Sequence, residues 1–147
     1  MNIRAHVYEE NFPTTAERLF TLLYTPSSIC QWWGASRAIV VPRADGIWVA
    51  AWGEHEDDPD YTTIADISVF QPPHRMLLQN YRVVSKAEPL APQPAFVLEF
   101  LISQRADGAS LRIRQDGFPA GSEADRLLAG CVTGWRDTFA GIRQFIE

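Results

Sequence analysis

The sequence predicts an α+β fold in which a curved antiparallel sheet of about six to seven strands wraps around one long C-terminal helix, with two short helices after the first strand. Residues 38–113 alternate strand after strand, and the Asp45-Gly46 and Asp107-Gly108 pairs are typical hairpin turns. The segment Asp116-Gly117-Phe118-Pro119 ends the last strand, and a helical pattern then runs to the C-terminus. Strands that follow one another directly usually pair antiparallel, so these strands are expected to form one sheet. The final helix then covers one face of that sheet.

The first elements are one strand and two short helices. Alternating polar and apolar residues predict a strand over 3–12, which Pro13 stops. Thr14 is the predicted N-cap of the first helix, because a glutamate three residues later completes a capping box. Pro26, which is tolerated in a first turn, begins the second helix, and that helix ends near Gly34.

The middle of the chain is a series of strands. Alternation predicts them over 39–41, 47–52, 64–70, 76–84, 96–102 and 111–115. The acidic stretch 54–60 and the Pro-rich stretch 87–94 are predicted as loops, because neither flanking part could bury a core alone. A chain of 147 residues with 46% hydrophobic content is the size of one ordinary domain, so we expect a single domain over 1–147.

The C-terminal helix combines an apolar stripe with glycines. Three- and four-residue spacings place these residues on one face: Leu127, Leu128, Cys131, Val132, Trp135, Phe139, Ile142 and Ile146. Gly130, Gly134 and Gly141 interrupt the helix, and each glycine costs on the order of 1 kcal/mol relative to alanine. Either an aromatic side chain of the sheet packs closely against these positions, or a cavity opens beneath the helix.

Charge and composition oppose several classes of partner. The formal net charge is −5 and Lys86 is the only lysine, which disfavours binding to nucleic acid or to an anionic membrane. No apolar run is long enough to span a bilayer, and the N-terminus lacks the apolar core of a signal peptide. Cys30 and Cys131 lie far apart in apolar surroundings, which favours reduced thiols over a disulfide. We therefore expect a cytoplasmic protein.

Residues that commonly carry catalysis are sparse. His6, His55 and His74 are scattered, and the sequence has no Gly-rich phosphate loop, Cys–His nucleophile pair or serine elbow motif. The acidic loop at 54–60 lacks the spaced ligands and the turn glycine of a calcium loop, so we interpret it as solvated. The sequence predicts neither a metal nor a cofactor.

Aromatic and small residues predict an apolar site between the sheet and the C-terminal helix. Glu54, Asn80 and Gln115 fall on inward positions by alternation, where each would need a hydrogen-bond partner that a ligand could supply. An apolar pocket with few polar groups is the usual form of a small-molecule site, and a solid aromatic core is the alternative. The candidate ligand-binding residues are Trp33, Trp48, Trp52, Glu54, Leu78, Asn80, Phe100, Ile113, Gln115, Val132, Trp135 and Phe139.

Short motifs in a particular order suggest a family. They are Ala16-Glu17-Arg18-Leu19-Phe20, Pro26 with Gln31-Trp32-Trp33, Asp45-Gly46-Ile47-Trp48, Gln71-Pro72-Pro73-His74-Arg75-Met76, Asp116-Gly117-Phe118-Pro119 and Gly134-Trp135. With these motifs, nearly the whole chain resembles the activator-of-heat-shock-protein-90-ATPase homologues, within the SRPBCC superfamily of START-like and birch-pollen-allergen-like helix-grip folds. The resemblance implies the helix-grip fold and is much less specific for a function. Asn80 stands where the family often has an aromatic residue, and Gln115 where it often has His or Glu.

The resemblance leaves three functions open, in this order. The first is a binding module for a small apolar or amphipathic ligand held between sheet and helix, as is common in the superfamily. The second is a protein-interaction domain similar to the family's namesake, with a chaperone or a second copy of the chain as partner. The third is an enzyme of the cyclase, aromatase or hydrolase type, in which Glu54, Tyr61, Tyr81 or Gln115 would act as acid–base or orienting groups.

Overall fold

A computed structural model describes residues 3–55, 57–87 and 95–147. The Pro-rich loop predicted at 87–94 therefore lies largely outside the described residues. In chain order the elements are β1 (Ile3–Phe12), α1 (Ala16–Tyr24), α2 (Pro26–Trp33), β2 (Arg37–Val40), β3 (Ile47–Trp52), β4 (Tyr61–Gln71), β5 (Arg75–Ser85), β6 (Phe96–Arg105), β7 (Gly108–Pro119) and α3 (Ser122–Ile146). Among these residues, no helix is both long and apolar enough to cross a membrane.

The strands form one antiparallel sheet covered by α3. Their order in the seven-stranded sheet is β1-β7-β6-β5-β4-β3-β2, so β1 returns to pair with β7 while the other strands pair with their neighbours in the chain. Helix α3 packs against β1, β7 and α2, and α1 packs against α2 and the β6–β7 pair. This arrangement confirms the predicted α+β helix-grip fold.

The core lies between the inner face of the sheet and the helices. Alternate residues of β6 are buried, among them Leu98 and Phe100, as period-two burial requires. The indole N–H of Trp48 on β3 donates to the Leu23 carbonyl oxygen of α1 at 2.9 Å. The aromatic core is therefore anchored to the short helices by a buried hydrogen bond as well as by packing.

The first helix begins one residue later than predicted. Its N-cap is Thr15, whose Oγ1 accepts a hydrogen bond from the Arg18 backbone N–H at 3.2 Å, so the prediction of Thr14 is wrong. The N–H of Thr14 instead donates to the Phe12 carbonyl oxygen at 2.9 Å and closes the turn after β1.

The last strand does not stop before the Gly-Phe-Pro segment. β7 continues through Gly117, which has a positive φ of 119°, as far as Pro119. Opposite it, the register of β1 shifts between Arg4 and Ala5, so Gly117 is the extra residue of a bulge. The glycine bends the strand without ending its pairing.

Candidate functional site

A cavity of about 430 Å³ lies between α3 and the part of the sheet that contains β5, β6 and β7. This volume is within the range of small-molecule sites. The residues that line it are Trp33, Tyr81, Val83, Phe96, Gln115, Arg126, Leu127, Gly130, Cys131, Gly134, Trp135 and Thr138. Most of these side chains are aromatic or aliphatic, or have only a small polar group.

The glycines of α3 have two different environments. A Cβ added to Gly130 or Gly134 would meet no atom within 4 Å, and both positions border the cavity. A Cβ added to Gly141 would instead collide with the carbonyl oxygen of Trp32 at the end of α2. The first two glycines are exposed and border the open side of the cavity, and the third allows two helices to approach closely. The close neighbour is a backbone carbonyl group, and not the aromatic side chain of the sheet that the sequence suggested.

The inner end of the cavity contains a hydrogen-bonded group of buried side chains. The indole N–H of Trp135 donates to Oε1 of Gln115 at 2.8 Å. Burial raises the pKa of the Cys131 thiol, and a hydrogen bond from Gln115 opposes that rise only in part. Gln115 thus finds its partners within the protein, and a ligand is not needed to satisfy it.

Tyr81 contributes a neutral phenol to the cavity wall. Its side chain is buried, and this burial raises the pKa of the phenol well above its ordinary value. The nearby Cys131 raises the pKa further, while a hydrogen bond with Thr63 lowers it. The phenol therefore keeps its proton at neutral pH.

Asn80 does not share the inward face of Leu78. The register between β5 and β6 shifts between Leu78 and Tyr81, and Asn80 has a positive φ of 53°. Its Nδ2 donates to Oδ2 of Asp66 at 2.9 Å on the exposed side of the sheet. Asparagine is one of the few residues that tolerate this backbone region, so it occupies the bulge and Tyr81 takes the inward position.

Glu54 lies outside the cavity. β3 ends at Trp52, Gly53 has a positive φ of 143°, and the Glu54 side chain is exposed. Further along the same loop, Oδ2 of Asp58 lies 2.7 Å from Nζ of Lys86, which follows β5. The alternation that placed Glu54 inward stops before it, because the chain bends at the glycine.

Apart from Glu54 and Asn80, the sequence-predicted residues divide into three groups. Trp33, Gln115 and Trp135 line the cavity. Side chains packed in the solid core and absent from the cavity lining are those of Trp48, Leu78, Phe100, Ile113 and Phe139. Trp52 and Val132 are half-buried and do not line the cavity either. The Trp52 ring meets the Trp33 ring edge-on, with 4.8 Å between ring centroids. Much of the predicted aromatic site is therefore core.

Several lining residues were not among the sequence candidates. Gly130 and Gly134 carried a usable signal, because paired glycines in an otherwise strong helix indicate open space or close contact. Leu127 and Cys131 lie on the same helical stripe and could have been added with them. No feature of the sequence separates Arg126 from the other surface arginines.

A known family covers most of this chain. The family described as Activator of Hsp90 ATPase homolog 1-like protein matches residues 13–147. The chain belongs to this family. The matched segment includes both short helices and α3. No curated protein matches the chain.

Solved structures share the fold of this chain at low sequence identity. MLL2253 of Mesorhizobium loti is 18% identical, with a TM-score of 0.78 over 97% of this chain and 96% of that chain. Ms6760 of Mycobacterium smegmatis is 16% identical, with a TM-score of 0.77 over 100% and 96%. CalU16 of Micromonospora echinospora is 16% identical, with a TM-score of 0.70 over 99% of this chain and 77% of that chain. At these identities the likeness establishes the fold and no shared ligand.

Proposed function

We propose that this protein binds a small apolar or amphipathic molecule in the cavity beneath Gly130 and Gly134. The supporting observation is that α3 carries two exposed glycines that line this cavity, and a Cβ added at either would meet no atom within 4 Å outside its own helix turn. Alanine at each position would favour the helix by on the order of 1 kcal/mol, so glycine there has a conformational cost with no packing reason. Its effect is to keep the α3 side of the cavity free of side chains, next to the aromatic walls that Trp33, Phe96 and Trp135 form.

The chemistry of the lining supports binding more than catalysis. Burial raises the pKa values of Tyr81 and Cys131, so both groups are neutral near pH 7 and neither is prepared to act as a base or nucleophile. Glu54 and Tyr61, two of the acid–base candidates, have exposed side chains and do not line the cavity. A mostly apolar lining, in which Arg126 carries the one charge among the described residues, is suited to holding a molecule by burial of its surface.

A reducing location is part of this proposal. Cys30 and Cys131 are both free thiols and both are half-buried. Free cysteines are usual in proteins of the cytoplasm, where we propose that this protein acts.

The test is saturable binding of N-phenyl-1-naphthylamine, a neutral apolar dye whose fluorescence rises in apolar surroundings. Gly134→Leu places a large side chain at the cavity wall, so we expect at least about a tenfold loss of dye affinity. Ala129→Leu is the matched control, because Ala129 is exposed on the same helix and does not line the cavity. It should bind the dye as the wild type does, and urea melts should show that both variants are folded.

Two results would contradict the proposal. One is that neither the dye nor a panel of other hydrophobic ligands binds the wild type saturably or changes its tryptophan fluorescence. The other is that Gly134→Leu binds the dye with unchanged affinity, which would place any binding elsewhere on the protein.

A further inference from the structure

Arg126 is the one charged side chain among the described residues that line the cavity. It is exposed and lies early in α3, where the long helix passes the cavity. Within the described part of the chain, its guanidinium forms no ion pair or side-chain hydrogen bond. The adjacent Asp125 is already bound by Arg4, with 2.6 Å between Nη1 and Oδ1. A guanidinium group without a partner among the described side chains therefore borders an apolar space.

The inner end of the cavity is unsuited to a charge. Gln115 accepts from Trp135, and the Thr138 hydroxyl donates to the Gly134 carbonyl oxygen at 2.8 Å. The remaining polar groups there are the neutral phenol of Tyr81 and the thiol of Cys131. An ion placed at this end would lose its solvation without gaining a counter-charge, which is strongly unfavourable. An apolar group placed there would leave no protein hydrogen bond broken.

We propose that the ligand is an amphipathic anion, with its apolar part toward Gln115 and Trp135 and its carboxylate, sulfonate or phosphate group at Arg126. This inference rests on the proposed function and specifies the ligand class of the same cavity. The planar guanidinium matches such oxygen anions by paired, charge-assisted hydrogen bonds. The formal net charge of −5 repels anions in general, so a preference for them would arise from this one position.

The test compares two dyes that share one ring system. 1-Anilinonaphthalene-8-sulfonate carries a sulfonate, and N-phenyl-1-naphthylamine lacks it. In Arg126→Gln we expect the affinity for the sulfonate dye to fall about tenfold, while the affinity for the neutral dye is unchanged. The matched control is Arg105→Gln, because Arg105 is exposed at the end of β6 and does not line the cavity. It removes the same charge and should leave both affinities as in the wild type.

The salt dependence of dye binding and the displacement of the dye by fatty compounds give two independent tests of the anion preference. Because Arg126 is exposed, its attraction for an anion is screened, so about 1 M NaCl should weaken binding of the sulfonate dye to the wild type and have little effect in Arg126→Gln. Decanoate should displace the bound dye from the wild type at a lower concentration than decanol does. The two compounds have carbon chains of the same length and differ in the charge of the head group.

The failures are distinguishable. If both dyes bind and Arg126→Gln leaves the ratio of their affinities unchanged, the anion preference is overturned and the binding function stands. The same holds if Arg126→Gln weakens both dyes equally, or if decanol displaces the dye as well as decanoate does. If neither dye binds the wild type, the proposed function fails and this inference fails with it.

Discussion

The indole N–H of Trp135 donates to the side-chain oxygen of Gln115 at 2.8 Å, and this bond joins α3 to β7 at the inner end of the cavity. Both side chains are buried, and the Trp135 ring also meets that of Phe100 edge-on with 6.1 Å between centroids. A buried amide is costly without partners. The tryptophan therefore explains why an inward position of β7 can hold a glutamine, with no ligand required for its stability.

We first predict that Trp135→Ala lowers the free energy of unfolding by about 3–5 kcal/mol, the usual range for truncation of a buried aromatic residue. Trp135→Phe keeps most of the ring and removes the indole N–H, so the expected loss is about 1–3 kcal/mol. Urea unfolding measures both changes.

A double-mutant cycle isolates the hydrogen bond itself. Gln115→Leu should be less destabilising in the Trp135→Phe background than in the wild type, because the bond is already absent there. Strictly additive effects would mean that the hydrogen bond adds no stability. A loss below about 1 kcal/mol in Trp135→Ala would mean that this residue is peripheral to the docking of α3.

A second prediction separates the glycines of α3. Gly130→Ala and Gly134→Ala should each raise the free energy of unfolding by roughly 1 kcal/mol, because the new methyl group meets open space and the helix gains propensity. Gly141→Ala should lower it, because its Cβ would collide with the Trp32 carbonyl oxygen. Chemical denaturation of the three variants under one condition provides the comparison. If Gly141→Ala were as stabilising as the other two, the close contact between α2 and α3 would be contradicted.

Much of the fold could be predicted from periodicity and turn chemistry. Strands alternate with period two, and α3 carries a stripe with helical spacing, so hydrophobic pattern alone identifies these elements. The differences occur where single residues decide geometry. Gly117 lets β7 continue through a bulge. At Asn80 the register of β5 shifts, so the alternation of inward and outward side chains changes there. A bulge shifts the alternation by one residue, which moves every later side chain to the other face.

The site could be predicted only in part, for a related reason. Aromatic residues that face inward either pack together or border a space, and alternation cannot distinguish these outcomes. Trp48 and Phe100 are in the solid core, whereas Trp33 and Trp135 line the cavity. The position of the cavity depends on the distance between α3 and the sheet. In the sequence, only the glycines of α3 indicate where that distance leaves a cavity.

A third prediction concerns Cys131, whose pKa is raised by burial at the cavity wall. Because only the thiolate is nucleophilic, its alkylation by iodoacetamide should be slow at pH 7.5 and should accelerate as the pH rises. Saturating N-phenyl-1-naphthylamine should slow the reaction further. Mass spectrometry of a Cys30→Ser variant follows this one site. Fast alkylation at pH 7.5 that the dye does not affect would show that Cys131 is open to solvent and apart from the binding site.

The last prediction is that His6 makes the protein less stable in mild acid. Its Nε2 is buried without a hydrogen-bond partner among the described residues. Burial first, and the nearby positive charge of Arg136 second, lower the pKa of His6 from 6.5. The unfolded chain therefore binds a proton more readily than the folded chain does, and stability is lost as the pH falls through 6.5 toward the lower folded-state pKa. Above that window both states are neutral and the effect vanishes.

Urea unfolding of the wild type and His6→Gln between pH 8 and pH 5 tests this sign. The difference in free energy of unfolding between them should be constant above about pH 7 and should shift in favour of the variant as the pH falls. His74→Gln, which removes an exposed histidine from a turn, serves as the matched control. Arg136→Gln removes the second cause, so it should raise the pKa of His6 and narrow the window of instability. A difference between wild type and His6→Gln that stays flat over the whole range would show that His6 titrates alike in the folded and unfolded chains.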